Sequence, residues 1–194
     1  MNIIMTGSTS FVGAATVREL LRRGHTVTAI VRPKSSKLDT ILEGNEEALL
    51  SGRLLVTEND LSEPEKLLEK VTKPQDVFCH FGWGGSGSAS RTDKALQEKN
   101  MEISLETIRT AKALGCKKFL FSGSQAEYGM HQDLITENTV CEPKSLYGEA
   151  KLAMREKGEK LCDELGLRYI HARIFSAYGP GDHPWTLVDS CLDT

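Results

Sequence analysis

MNIIMTGSTSFVGAA, residues 1–15, is the stretch on which the fold turns. Residues 2–6 form a strand-length, mostly apolar run that meets Thr6-Gly7 directly, and FVGAATVRELLRR (11–23) then repeats its apolar residues at helical spacing. A strand, a glycine-bearing turn and a helix N-terminus together make an anion site: free backbone N–H groups converge there and the helix dipole adds partial positive charge. Gly7 permits the tight turn, and Gly13 lets the helix pack closely on the strand. The middle position, where a pyrophosphate would approach, holds Ser10 instead of a third glycine. Serine is small, and its hydroxyl can donate to a phosphate oxygen or cap the helix, so the turn keeps its function with some loss of backbone approach. A glycine turn ahead of any surface helix would look similar; the position directly after the first strand of a β-α-β unit favours the phosphate reading.

Outward from that turn, short β-rich runs alternate with amphipathic stretches. NIIMT, TVTAIV, RLLVTE, DVFCHF, KFLFS and LRYIHARIF read as strands. Helices are expected near 11–23, 38–50, just after Ser62, 91–114 and 145–165. Strands this uniformly apolar, spaced by helices, predict an α/β fold: a doubly wound parallel sheet in three α/β/α layers. WGGSGSAS (83–90) reads as a flexible loop after the fourth strand.

At 194 residues and 39% apolar content the chain can bury one sizeable core. The formal net charge of -3, the absence of a basic run and an aromatic content of 6% point to small-molecule partners and to neither nucleic acid nor membrane. The N-terminal residues lack the pattern of an export signal, and no run approaches transmembrane length. The five cysteines, Cys79, Cys116, Cys141, Cys162 and Cys191, contain no C-x-x-C pair. They read as reduced, mostly buried thiols of a cytoplasmic protein, and no metal site is expected.

The second strand ends in Arg32, followed by Lys34 and Lys37. An acidic residue there would suit the ribose hydroxyl of NAD; cations suit the 2′-phosphate of NADP, unless VRPKSSK is simply a solvated loop. SLYGEAK places Tyr147 and Lys151 on one face of a helix, where an ammonium would favour the phenolate and also hold a ribose hydroxyl. Ser122 and Ser124 lie at the carboxyl end of KFLFSGS, where open parallel sheets bind ligands. A tyrosine and lysine one helical turn apart, or serines ending a strand, are also ordinary features. The combination, in the order that hydride-transfer chemistry requires, carries the reading.

These motifs together resemble the extended short-chain dehydrogenase/reductase family, the NAD-dependent epimerase/dehydratase group acting on nucleotide sugars, over essentially the whole chain. The resemblance implies a Rossmann domain over residues 1–180 and the start of a truncated substrate-binding region over 181–194. TGSTSFVG resembles the family's glycine turn, which assigns Gly7, Ser10, Phe11, Val12 and Gly13 to the cofactor. Asp60-Leu61 is similar to the pair that meets the adenine, and Phe81-Gly82 to a segment that usually ends in two alanines beside the cofactor. Asn100, Ser122, Arg32 and Phe175 complete the implied cofactor set with Tyr147 and Lys151. Ser124, Tyr147 and Lys151 would be the catalytic triad. Trp83, Ser124, Gln125 and Ser176, the last where an asparagine usually stands, would meet the substrate. RIFSAYGPG (173–181) is the most family-specific string.

Family dehydratases carry an Asp-Glu pair directly after the catalytic hydroxyl residue, where Gln125 and Ala126 stand here, so a 4,6-dehydratase is not expected. An epimerase with retained cofactor or an NADPH-dependent reductase remains, and Arg32 tilts toward the reductase. A non-catalytic NADP-binding module or redox sensor and a structural fragment are the other readings, since family members continue well beyond the point where TLVDSCLDT ends this chain. Glu127, His131 and the 84–90 loop are further candidates to border the substrate, with surface or packing roles equally open. A homodimer is implied through the helices near 91–114 and 145–165, with Met101, Ile103, Leu105 and Ile108 against Leu152 and Met154, a pattern core packing would also produce.

Overall fold

The computed structural model describes residues 1–85 and 88–182. Six parallel strands, β1 (Asn2–Thr6), β2 (Thr26–Val31), β3 (Leu54–Glu58), β4 (Val77–His80), β5 (Lys118–Ser124) and β6 (Arg168–Ile174), lie in the order β3-β2-β1-β4-β5-β6. Chain progression reverses direction between β1 and β4, which opens a crevice at the carboxyl ends of those two neighbours. The register Thr6↔His80 sets their ends level.

Both faces of the sheet are covered, and the period of two along a strand distributes each one between two cores. Ile4 joins Phe78, Phe119, Phe121, Ile108 and Met154 on one side. Ile3 and Met5 join Val17, Val27, Ala29 and Leu54 on the other. Helix α1 (Phe11–Arg22) buries Ala14, Val17 and Leu21 against the second core. Helices α5 (Lys94–Ala113) and α6 (Leu146–Leu165) pack against each other and over the first.

Boundaries follow local chemistry. Asp93 caps α5 by accepting from the N–H of Leu96, so residues 88–92 form a separate 3-10 turn where a continuous helix from 91 was expected. The expected helix over 38–50 is two short ones, α2 (Asp39–Leu42) and α3 (Glu46–Leu50), interrupted where Gly44 adopts φ +75°. After Ser62, a 3-10 turn (Pro64–Lys66) leads into α4 (Leu67–Lys70). Ser145 caps α6, and Gly166 ends it in the left-handed conformation. The expected terminal helix TLVDSCLDT and Cys191 lie outside the described residues.

Of the apolar residues expected at a dimer face, Ile108 and Met154 are fully buried in the core, and Met101 and Leu105 pack against it. Among the described residues Cys79, Cys116, Cys141 and Cys162 are free thiols. Burial pushes Cys79 up to about 11 and Cys116 and Cys162 up to about 12. Half-buried Cys141 instead accepts a hydrogen bond from the Arg173 guanidinium at 3.2 Å. Among the described residues no helix is long and apolar enough to cross a membrane.

Candidate active site

Gly7 takes φ +69°, and a Cβ there would lie 2.7 Å from the Phe81 carbonyl carbon; one on Gly13 would collide with the Gly7 carbonyl oxygen. Only glycine lets β1, α1 and the loop after β4 approach this closely. Ser10 closes the turn. Its Oγ donates to the Gly7 carbonyl at 2.7 Å and accepts from the Gly13 N–H at 3.1 Å, so the hydroxyl is spent on the cap.

From this turn a cavity of about 560 Å³ runs along the carboxyl ends of the strands. Gly7, Ser10 and Val12 line one stretch, Arg32, Asp60 and Leu61 another, and Phe81, Gly82 and Trp83 its middle. Ser122, Ser124, Tyr147 and Lys151 lie at the far end. A glycine-walled cleft of this length, open to the N-terminus of α1, fits a dinucleotide. Exposed Arg32 and Lys37 line the end near β2. The Asp60 carboxylate accepts from the hydroxyl of Ser62 at 2.6 Å and its N–H at 2.9 Å, and these bonds hold it below the ordinary carboxylate value.

Eight sequence candidates, Glu127 among them, stand off the cavity wall. Gly13 is packed within the turn, and Phe11 opens α1 beside it. Asn100 is buried and turned to the backbone of Gly84, accepting from its N–H at 3.0 Å and donating to its carbonyl at 2.8 Å. It pins the start of the loop expected to be flexible, residues 86–87 of which lie outside the described range. β6 ends at Ile174, which leaves Phe175 and Ser176 exposed beyond the sheet; Phe175 sits against Tyr128 with ring centroids 5.9 Å apart. Gln125 belongs to the 3-10 turn after β5, away from the lining. His131 hydrogen-bonds the Tyr128 carbonyl at 2.8 Å, within its own loop.

Glu127, a candidate for the substrate border, is fully buried behind Ser124. Its carboxylate accepts from the Ser124 N–H at 2.7 Å, from His171 Nε2 at 2.9 Å and from Arg173 Nε at 2.7 Å. Burial pushes this carboxyl up, yet the bonds from His171, Arg173 and Ser124 together outweigh it and the net shift is downward. Arg173 continues to the Tyr128 hydroxyl at 2.7 Å. Ser124 Oγ accepts from the Ala126 N–H at 3.2 Å and lines the cavity beside Tyr147.

Lys151 lines the same end of the cavity as Tyr147. It is 2% exposed, donates to the Ser122 carbonyl at 2.7 Å, and rests 3.9 Å from the centroid of the Trp83 ring and 4.6 Å from that of Phe121. Its ammonium lies 5.7 Å from the Tyr147 ring centroid. Burial lowers Lys151 to about 7 against a smaller opposing pull from Glu127. Tyr147 itself is raised by burial, opposed by the Ser124 hydroxyl and by the charge of Arg91 and reinforced by Glu127. Two cations therefore face the phenol ring, Arg91 at 4.9 Å from its centroid and Lys151 at 5.7 Å.

Sequence reasoning missed five contributors. Arg91 follows the Gly/Ser-rich loop at the expected start of a helix, and the structure places it in a 3-10 turn instead. Gln97 accepts from the Trp83 indole at 3.0 Å and so fixes that ring. His80, fully buried, joins Thr6 at 2.8 Å and Ser104 at 3.1 Å beneath the site. Arg173 and His171 are paired through Glu127, a long-range contact with no local signature.

The fold is a doubly wound α/β sheet with a glycine-walled cleft at its switch point, and comparison narrows the class. Residues 3–192 match the family described as "NAD dependent epimerase/dehydratase family", and the chain belongs to it. It is 30% identical to dTDP-6-deoxy-L-talose 4-dehydrogenase (NAD(+)) of Aggregatibacter actinomycetemcomitans, over 88% of this chain and 60% of that one. It is 27% identical to UDP-glucose 4-epimerase of Lactobacillus helveticus, over 92% and 52%. Among solved structures, UDP-glucose 4-epimerase from Thermotoga maritima with UDP-glucose superposes with a TM-score of 0.78 at 26% identity, covering 96% of this chain and 59% of the other. The Thermus thermophilus UDP-glucose 4-epimerase complex with NAD shares the fold at 20% identity, TM-score 0.80, covering 100% and 61%. The chain thus spans about three fifths of the length of the first of these relatives.

Proposed function

We propose that the chain binds NADP and acts at a carbinol or keto carbon of a nucleotide-linked hexose, as a reductase, with Tyr147 as acid and base. The observation that carries this reading is the convergence of Ser124, Tyr147 and Lys151 at one end of the cavity whose other end is the glycine turn. The names of the relatives, a nucleotide-sugar dehydrogenase and epimerases, support the substrate class. NAD with an epimerisation cycle is the alternative within the same chemistry, and the NAD complex among the neighbours supports NAD as the alternative cofactor.

Gly7 and the α1 N-terminus would receive the pyrophosphate, Arg32 and Lys37 a 2′-phosphate, and Asp60-Leu61 the adenine side. The nicotinamide, when bound, supplies or accepts hydride. Ser124 Oγ orients the substrate oxygen, and the Tyr147 phenol holds the proton that moves to or from it. Lys151 would turn from the Ser122 carbonyl to a ribose hydroxyl. A homodimer through α5 and α6, where Ile103 and Leu152 remain half-buried, and a cytoplasmic setting belong to the same reading.

Fluorescence titration with NADPH and, separately, NADH tests it. Tighter NADPH binding supports the cation reading of Arg32 and Lys37, and tighter NADH binding moves the retained-NAD epimerase ahead. Tyr147→Phe should then abolish hydride transfer while the cofactor stays bound. Turnover at the parent rate would overturn the mechanism. Binding without turnover on any nucleotide sugar in the parent chain would favour a non-catalytic binding module.

A further inference from the structure

We propose that Arg91 is a positioning residue whose guanidinium, stacked on the Tyr147 ring, sets the proton affinity of the phenol. The inference rests on the reading of Tyr147 as acid and base and deepens it.

The geometry carries the assignment. Arg91 belongs to the 3-10 turn Ser88–Thr92 that follows the cavity-lining glycines Gly84 and Gly85, and its guanidinium carbon lies 4.9 Å from the Tyr147 ring centroid. A cation over an aromatic face is attracted by the ring, and the attraction grows when the ring becomes a phenolate. Trp83 fixes the same ring from another side, edge-on at 6.3 Å and 86°. Among the described residues the charged groups around the phenol are four side chains and Arg91 itself. Lys151, on the tyrosine's own helix, is withdrawn to the Ser122 carbonyl, and its ammonium has lost its proton before an ordinary phenol ionises. Glu127, from the turn after β5, is negative and opposes ionisation, while Arg173 and His171 are committed to that carboxylate. Arg91, from the turn before α5, remains charged throughout and opposes Glu127. A loop side chain thus adds a second cation at the ring that the Tyr-x-x-x-Lys spacing pairs with the lysine. Because that turn abuts the cavity-lining loop, displacing it would change the acidity of the phenol together with access to the site.

The test is ultraviolet titration of tyrosine ionisation in the chain as it stands, with the Tyr147→Phe difference spectrum isolating this phenol from the other three tyrosines. Far-UV circular dichroism at each pH defines the range in which the fold persists. Arg91→Gln should raise the Tyr147 midpoint by about half a pH unit, the size expected of a partly exposed cation–π contact, and Arg91→Lys should recover most of it. An unchanged or lowered midpoint in Arg91→Gln overturns the proposal. Equal displacement in Arg91→Lys would assign the effect to the planar stack instead of the charge and overturn it too. No substrate or cofactor enters this measurement, so the acidity assignment and the proposed reaction fail separately. With turnover in hand, the Tyr147-dependent limb of the kcat/KM profile should move in the same direction, whereas a purely structural loss lowers the rate without moving the limb.

Discussion

His80 should weaken the fold in mild acid. The ring is fully buried at the end of β4, and the hydrogen bonds around it run in one direction. The Gly82 N–H donates to Thr6 Oγ1, and the Thr6 hydroxyl faces His80 Nδ1 at 2.8 Å. On the other side His80 Nε2 faces Ser104 Oγ at 3.1 Å, whose hydroxyl donates to the Asn100 carbonyl. This network assigns a neutral ring with the proton on Nε2. A second proton would put a donor against Thr6 and strand that hydroxyl without an acceptor. Burial, with a smaller push from Lys151, accordingly lowers His80 from 6.5 to about 3. A base whose folded value is depressed lends full stability above its unfolded value, and that stability falls as pH drops toward the folded value. Between pH 7 and pH 5 the loss should be about 2 kcal/mol, rising to on the order of 4 kcal/mol by pH 3, against a total of roughly 5–15 kcal/mol for a domain. Lys151, lowered to about 7, loses its contribution above that window and leaves it clear. Urea unfolding at pH 7 and pH 5 of the parent and of His80→Asn measures the difference. The variant will be less stable at pH 7, but its pH 7 to pH 5 drop should be smaller than the parent's by about 2 kcal/mol. A drop equal to the parent's within about 0.5 kcal/mol would refute the argument, because the titrating group would then lie elsewhere.

Two further substitutions probe the frame of the site. Glu127→Ala leaves Arg173 and His171, with side chains 10% and 9% exposed, without their carboxylate, and should cost about 3–5 kcal/mol in urea unfolding; a cost below about 1 kcal/mol would show that water replaces the carboxylate. Since the Glu127 value is lowered by folding, its contribution is present above the ordinary carboxylate value and declines as pH falls through the folded one. Ser10→Ala should cost about 1 kcal/mol and Ser10→Gly only a few tenths, measured by thermal melting, if capping is what the hydroxyl does; equal costs would put its role elsewhere.

The order of strands and helices was legible because the central strands are apolar runs buried on both faces, and because Ser10 and Ser145 mark helix starts by local chemistry. The cavity's glycine end was legible for the same reason: a turn, a cap and a helix dipole are all read within one short segment. What escaped was nonlocal. Glu127, His171 and Arg173 are 44 and 46 positions apart along the chain, and nothing in their neighbourhoods announces a pair. Asn100 sits at the expected place in the sequence, but its partner is the backbone of Gly84, a choice made by tertiary contact.

Helix α5 shows why the far end of the site resisted reading. Its buried face includes Gln97, Asn100, Ser104, Thr107 and Thr110, a polar stripe at helical spacing. Hydrophobic periodicity assigns such a stripe to solvent, yet burial without partners would be costly, so each side chain must find a hydrogen bond within the fold. They do so in four different directions. Gln97 turns to the Trp83 indole and Asn100 to the Gly84 backbone. Ser104 takes His80 and the Asn100 carbonyl, while Thr107 and Thr110 bond back to their own helix. The stripe therefore organises the floor beneath Lys151 and the loop leading to Arg91, and its polarity follows from the need to hold an indole, a backbone turn and a neutral imidazole at fixed distances. An apolar helix face would pack the same sheet but leave those three groups unanchored, so the residues that look least like a core are the ones that keep the reactive end of the cleft in place.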